Sequence, residues 1–238
     1  DIFTDLLRYK DSDLRPYQND NKEQIYKSWN DCRAVMLQMP TGTGKTRLFV
    51  SILKDLHKYA AESKKQIRVL ILVHRVELID QISEELGVRY GLAHGFIHSK
   101  DRERRKFPFQ IASVQTLNRR LDNWKDYGFD FIIVDEAHHS TAKTYRKVIE
   151  YVKSKVPCVK LIGLTATPFR TAESEQGLLA KIYTDGIKDG QVVHNDIGIA
   201  YSVNLTELIN KQILSHPNFD ECRTDENFGE YLGVDAVR

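Results

Sequence analysis

The sequence is poor in the features that mark specialised classes of protein. It has three cysteines, Cys32, Cys158 and Cys222. They are odd in number and far apart, which supports neither a disulfide framework nor a zinc cluster, so three reduced thiols are expected. Long apolar runs are missing. The longest, Val69 to Val73 and Phe129 to Val134 with Asp130 inside it, fall far short of the roughly 20 residues a membrane helix needs, and no membrane partner is expected. An excess of one charge is also missing: 35 Lys and Arg face 33 Asp and Glu, a net of +2. That excludes a strongly basic footprint over the whole chain and leaves room for a local groove. The chain opens Asp-Ile-Phe with neither Met nor a basic-then-apolar leader, which reads as a segment excised from an intracellular, cytoplasmic protein.

What is present is a foldable core. In 238 residues, 41% are hydrophobic and 29% charged, which excludes a disordered tail. At roughly 100–200 residues per domain, one large domain with appendages is expected. Five short runs rich in Val, Ile and Leu, spanning 34–37, 67–73, 109–113, 129–134 and 159–164, lack alternation, as strands covered on both faces do. Between them lie helical stripes: Leu48, Phe49, Ile52, Leu53 and Leu56, then Leu78, Ile79, Ile82 and Leu86, then Tyr145, Val148, Ile149 and Val152. The alternation predicts an α/β fold with a mostly parallel sheet and helices on both faces, and all six prolines fall outside element interiors. In such a sheet ligands sit beyond the carboxyl ends of the strands. From Asn218 onward six acids face two bases, a local net of −4, so the first 217 residues carry +6. A domain over 1–217 followed by an acidic tail or linker over 218–238 is expected.

The first predicted strand runs into Met39-Pro40-Thr41-Gly42-Thr43-Gly44-Lys45-Thr46 and then a helix. Gly42 and Gly44 let backbone N–H groups turn inward, the helix N-terminus adds its positive end, and the Lys45 ammonium can reach β- and γ-phosphates. Thr46 places a hydroxyl on Mg²⁺. Met39 stands where the common pattern has glycine. An ordinary glycine-rich turn is the alternative; the spacing favours a nucleoside triphosphate site. The fourth run ends in Asp135-Glu136-Ala137-His138-His139. Asp135 can hold the metal, and Glu136 can orient and deprotonate an attacking water, which favours hydrolysis over transfer to another acceptor. The two adjacent histidines lack the helical spacing of a zinc site and read as a polar start to the next helix.

With four further blocks these two stand in a fixed order, and the set resembles the first RecA-like domain of a superfamily 2 helicase or translocase, in the DEAH-containing, restriction-enzyme-helicase-like group. Leu14-Arg15-Pro16-Tyr17-Gln18 is similar to the segment in which Arg15 and Gln18 meet the adenine. The segments 73–81 and 113–117 resemble those that hold a nucleic-acid backbone, with Arg75, Gln81, Gln115 and Thr116 as contacts. Gly163-Leu164-Thr165-Ala166-Thr167-Pro168 resembles the coupling motif, which pairs Thr165 with His138 and includes Thr167. The resemblance implies ATP and Mg²⁺ as cofactors, with Thr41, Gly42, Thr43, Gly44, Lys45 and Thr46 around the phosphates. It also implies nucleic acid as partner, DNA favoured over RNA, and a second RecA-like domain elsewhere in a parent chain. Without that domain's arginines this segment alone is expected to hydrolyse ATP poorly, by analogy with the ~10³–10⁵ that an arginine finger contributes. Two other readings stay open: a module that uses ATP as a switch to clamp nucleic acid without unwinding it, and a small-molecule kinase. The run Lys100 to Lys106, five bases and two acids, reads as a solvated face, with a second nucleic-acid patch as the alternative.

Overall fold

All five apolar runs form strands in a computed structural model that describes residues 1–30, 34–39, 44–100, 102–165, 182–183, 185–188, 191–194 and 199–202. They are β1 (Ala34–Gln38), β2 (Val69–Val73), β4 (Phe109–Ser113), β5 (Phe131–Asp135) and β6 (Lys160–Thr165), and β3 (Gly95–Ile97) joins them. The six lie in the order β3-β4-β2-β5-β6-β1 and every pairing among them is parallel. β2, β4 and β5 are buried along their whole length, which explains why they read as continuous apolar runs. Each fully buried Val, Leu or Ile contributes ~1.5–3 kcal/mol of transfer free energy. β1 and β4 begin where the apolar runs begin, whereas β2, β5 and β6 start one or two residues later; before β2 and β5 the Arg68 N–H donates to the Asp130 carboxylate (2.9 Å). β1, β5 and β6 each end one residue later than predicted, on polar residues that the ladder carries past the apolar stretch: Gln38, Asp135 and Thr165.

Two helices, α1 (Ile2–Leu6) and α2 (Pro16–Trp29), precede β1, and α3 (Lys45–Ser63), α4 (Val76–Glu84), α5 (Val114–Arg119) and α6 (Lys143–Lys155) fill the crossovers. The α3 crossover runs from β1 past β6 and β5 to β2, and the α6 crossover runs the opposite way from β5 to β6. Right-handed crossovers therefore put α3 and α6 on opposite faces. α1 and α2 pack with α3, and α5 packs with α6. The predicted stripes face the core, with Leu48, Phe49, Ile52, Leu53 and Leu56 fully buried; Leu78 is the one stripe member only partly covered. Pro16 opens α2, where no N–H is needed, and Trp29 closes it by donating to the Leu161 carbonyl (3.3 Å) and packing on Phe131.

Sequence patterning misses β3, which is three residues long, and the strands β7 (Asp185–Lys188), β8 (Gln191–His194) and β9 (Ile199–Ser202). β7 and β9 both pair parallel to β1 and β8 pairs antiparallel to β7, so this later stretch returns to the same sheet. Cys158 is an exposed free thiol, while Cys32 and Cys222 lie outside the described residues. Among the described residues no helix is long and apolar enough to cross a membrane.

Candidate nucleotide and nucleic-acid site

Register brings the chemistry together. β6 lies between β1 and β5, with Gln38 opposite Thr165 and Asp135 opposite Leu164, so three strands end at one level. Met39 N–H then donates to the Thr165 carbonyl (2.9 Å), extending the pairing one residue. The chain re-enters at Gly44, the N-cap of α3, with φ +81° and ψ +41°. This left-handed conformation favours glycine, and a β-carbon there would also collide with the Gln18 amide nitrogen.

α3 begins at Lys45, whose side chain crosses beyond the end of β6. Its Nζ lies 2.6 Å from Glu136 Oε1 and 3.1 Å from Asp135 Oδ1. Burial alone would lower the lysine pKa; the two carboxylates outweigh it and hold the ammonium charged well above its ordinary value. Asp135 is buried, and its Oδ1 has the Lys45 ammonium as its close neighbour. Glu136 is less covered and has φ +53° and ψ +55°, a conformation that costs a residue with a β-carbon ~1–2 kcal/mol. It caps a 3₁₀ turn, Ala137–Thr141. Thr46 is the second residue of α3 and half-buried.

The Asp135 carboxylate, ion-paired to Lys45, and the Thr46 hydroxyl at the helix start are donors of the hard oxygen type that Mg²⁺ takes, and the residues fit it. Among the described residues no group of three or more His, Cys, Asp and Glu is gathered into a metal cluster.

Gln18, expected at the adenine, is placed beside the start of α3. It is buried, its amide oxygen accepts from Arg15 N–H (2.8 Å), and its amide nitrogen donates to the Gly44 carbonyl (3.2 Å). The residue thus ties the start of α2 to the start of α3. Arg15 is the exposed N-cap of α2. Thr165 is fully buried at the end of β6. Thr41, Gly42, Thr43, Thr167 and the His138 side chain lie outside the described residues.

The second half of the level is made by β2 and β4, where Val73 pairs with Ser113. Arg75 is the exposed N-cap of α4, and Gln115 is exposed at the start of α5, where its amide oxygen accepts from the Ser113 hydroxyl (3.1 Å). Gln81 is exposed on α4, whereas Thr116 is buried. The basic run 100–106 behaves differently. Gln110 donates to the Arg104 and Phe107 carbonyls, and Val69 N–H donates to the Pro108 carbonyl, so the loop's end sits at the amino ends of β2 and β4. Arg105 covers Trp124 (4.9 Å), and Arg120 pairs with Glu103 (3.1 Å). Arg104 to Lys106 therefore form no continuous patch with Arg75 and Gln115.

Three contributors carry no sequence signal that spacing could expose. Tyr183 is fully buried; its ring fills the place of a Gly163 side chain together with Ala137, and its hydroxyl lies 2.8 Å from that of Ser140. It thereby supports the turn beneath Glu136. Tyr145, which reads in the sequence only as part of a core stripe, has a buried hydroxyl without a hydrogen-bond partner; burial and then the Asp135 charge hold its pKa far above the ordinary value. His139, which reads as a polar helix start, stacks on His74.

Several known proteins resemble this chain. Residues 11–170 match the family model described as the type III restriction enzyme, res subunit. IRC3 of Saccharomyces cerevisiae, named as a candidate ATP-dependent helicase, is 33% identical over 160 residues, covering 65% of this chain and 23% of its own length. The DNA 3'-5' translocase XPB2 of Sulfurisphaera tokodaii is 26% identical over 159 residues, covering 66% of this chain and 31% of its own. Among solved structures, a nuclease-deletion mutant of the Type ISP restriction-modification enzyme LlaGI with a DNA substrate mimic aligns with a TM-score of 0.58 at 19% identity, over 91% of this chain and 22% of that one; the likeness is one of fold. The chain thus spans about a quarter to a third of the length of these curated relatives.

Proposed function

Since the chain belongs to the type III restriction enzyme res-subunit family and is the first RecA-like domain of a superfamily 2 helicase, we propose that it is the ATP-binding half of a nucleic-acid-dependent motor of the DEAH type. The observation that carries this reading is the convergence of Lys45, Asp135 and Glu136 at the carboxyl ends of β1 and β5. The pairing of Lys45 with both carboxylates is the arrangement of a cation that exchanges partners when phosphate arrives. Lys45 then meets the β- and γ-phosphate oxygens, helped by the backbone of Thr41 to Gly44 and the N-terminus of α3. Thr46 and Asp135 would hold Mg²⁺, which would supply neutralising charge to the phosphates.

Glu136, the more exposed of the two carboxylates, orients a water and takes its proton. The new O–P bond forms at the γ-phosphorus as the bond to the β-phosphate oxygen breaks, leaving ADP and phosphate. Arg15 and Gln18 border the adenine end, with Gln18 sensing it through the carbonyl of Gly44. Thr165, Thr167 and His138 couple nucleotide state to grip. Arg75, Gln81 and Gln115 contact phosphates of a nucleic acid without reading its bases, with Thr116 shaping the turn behind Gln115. DNA is favoured over RNA, in keeping with the restriction-enzyme family to which the chain belongs. A second RecA-like domain of the parent chain completes the ATP site.

The test is ATP hydrolysis by the full-length protein with and without duplex DNA, alongside directional displacement of a triplex strand. Stimulated hydrolysis with displacement is expected; hydrolysis without displacement makes the protein a clamp. Lys45→Ala is expected to abolish calorimetric ATP binding, and retained affinity removes the nucleotide site from this position.

A further inference from the structure

The ladder between β2 and β5 stops at Leu72 opposite Val134. Beyond it the two chains part. His74 and Arg75 lead into α4, while Asp135 and Glu136 lead into the 3₁₀ turn Ala137–Thr141. Two imidazole rings bridge the divergence: His74 and His139 stack with centroids 4.4 Å apart and planes inclined by 26°. The Tyr145 ring, buried on α6, lies 6.3 Å from His74 and 6.4 Å from His139, and forms the floor on which the pair rests.

Each histidine is also fastened to one half of the candidate site. His139 N–H donates to the Glu136 carbonyl (3.0 Å), so its position follows the backbone of the carboxylate turn. His74 is joined by one peptide bond to Arg75, the exposed N-cap of α4. From Glu136 to Arg75 the path is one hydrogen bond, one ring stack and one peptide bond. Glu136 itself sits in the left-handed region, a conformation with a lower-energy alternative, so the turn can switch when Lys45 leaves its carboxylate for a phosphate.

We infer that His139 is a positioning residue, which carries the state of the Glu136 turn through its stack on His74 to Arg75 and so couples the nucleotide site to the grip on nucleic acid. This rests on reading the chain as part of a nucleic-acid-dependent ATPase. The route is separate from the expected Thr165 and His138 pair, because it runs from β5 toward β2 and not toward β6. Flat rings suit such a relay, since a stack resists separation yet slides, and a small shift of the turn is passed on without unpacking the core. Tyr145, fixed in the core by α6, flanks both rings at nearly equal distance.

The experiment uses the full-length protein with duplex DNA and measures DNA affinity with and without a non-hydrolysable ATP analogue, together with basal and DNA-stimulated ATP turnover. In His139→Ala, basal turnover and the KM for ATP are expected to stay within about twofold, while the analogue-dependent change in DNA affinity shrinks about 3–10-fold. His139→Phe restores it by rebuilding the stack, and His139→Leu, which fills the volume without a flat ring, does not. The double variant His74→Ala with His139→Ala is no worse than the more affected single variant, since both remove the same contact. Unchanged coupling in His139→Ala and His139→Leu, with wild type still stimulated by DNA, overturns the inference and leaves the motor reading standing. Equal loss of basal and stimulated turnover, unrescued by Phe, also overturns it and makes the residue merely structural. Absence of nucleic-acid stimulation in the wild type overturns the motor reading instead.

Discussion

Lys22 and Lys45 are both buried and both paired with carboxylates, but their surroundings differ in kind. Lys22 on α2 reaches Asp55 on α3 at 2.8 Å and donates to the Ser51 hydroxyl at 3.1 Å. Tyr26 donates to the same Asp55 oxygen (2.6 Å), and Ser51 donates onward to Asp11 (2.8 Å), which also accepts from Asp13 N–H (3.0 Å). Every member has a partner and all sit in ordinary backbone geometry. Around Lys45 two carboxylates share one ammonium and Glu136 holds a left-handed backbone. Charge and burial are nearly the same in the two clusters. Geometry separates them: a network in ordinary backbone conformations joins two helices, and a strained one gathers two carboxylates on a single ammonium.

The comparison can be broken most directly at Glu136. Glu136→Gln keeps the shape and removes the proton acceptor, so ATP turnover of the full-length protein should fall ~10²–10⁴-fold while urea unfolding changes little. Unchanged turnover would mean that the strained cluster is only structural. Lys22→Ala should do the reverse. Removing Lys22 leaves Asp55 buried without its counter-charge, which costs about 3–5 kcal/mol in urea unfolding, with ATP affinity nearly kept under folding conditions. A large loss of ATP affinity without loss of stability would exchange the two roles. The smallest effect is at Asp11. Burial tends to raise its pKa, but the Ser51 and Asp13 hydrogen bonds and the Lys54 charge win, and the folded value lies below the ordinary 3.8. The unfolded chain therefore binds the proton first, so stability supplied by Asp11 is present above pH 3.8 and fades as pH falls through the folded pKa. The stability difference between wild type and Asp11→Asn should be flat above that pH and narrow below it.

Much of this organisation is legible in the sequence. Apolar runs mark the five long strands because a parallel sheet buried on both faces needs uninterrupted Val, Ile and Leu. Lys45, Asp135 and Glu136 are legible because a glycine-rich turn before a helix and an acidic strand end each place rare residue types at fixed spacing. β3 is not, since three residues carry no period. β7, β8 and β9 are equally hidden, because a mixed stretch becomes strand only when β1 offers it a free edge. Within the site, Gln18 stands out in the sequence for an adenine contact, whereas its bonds to Arg15 and Gly44 depend on how α2 lies against α3.

Local chemistry thus determined which residues could bind phosphate, hold a metal and activate water, since hydroxyl, ammonium and carboxylate bring those capacities wherever the chain puts them. The chain order also implied an α/β sheet with the chemistry at its carboxyl edge. The tertiary structure alone decided that Lys45 would span both carboxylates, that Tyr183 would brace the turn through Ser140 and Gly163, and that His139 would meet His74. Those contacts join residues 65 to 91 positions apart in the first and third cases, and no local pattern encodes them. They arise from strand order and register, which only the packing of the whole sheet sets.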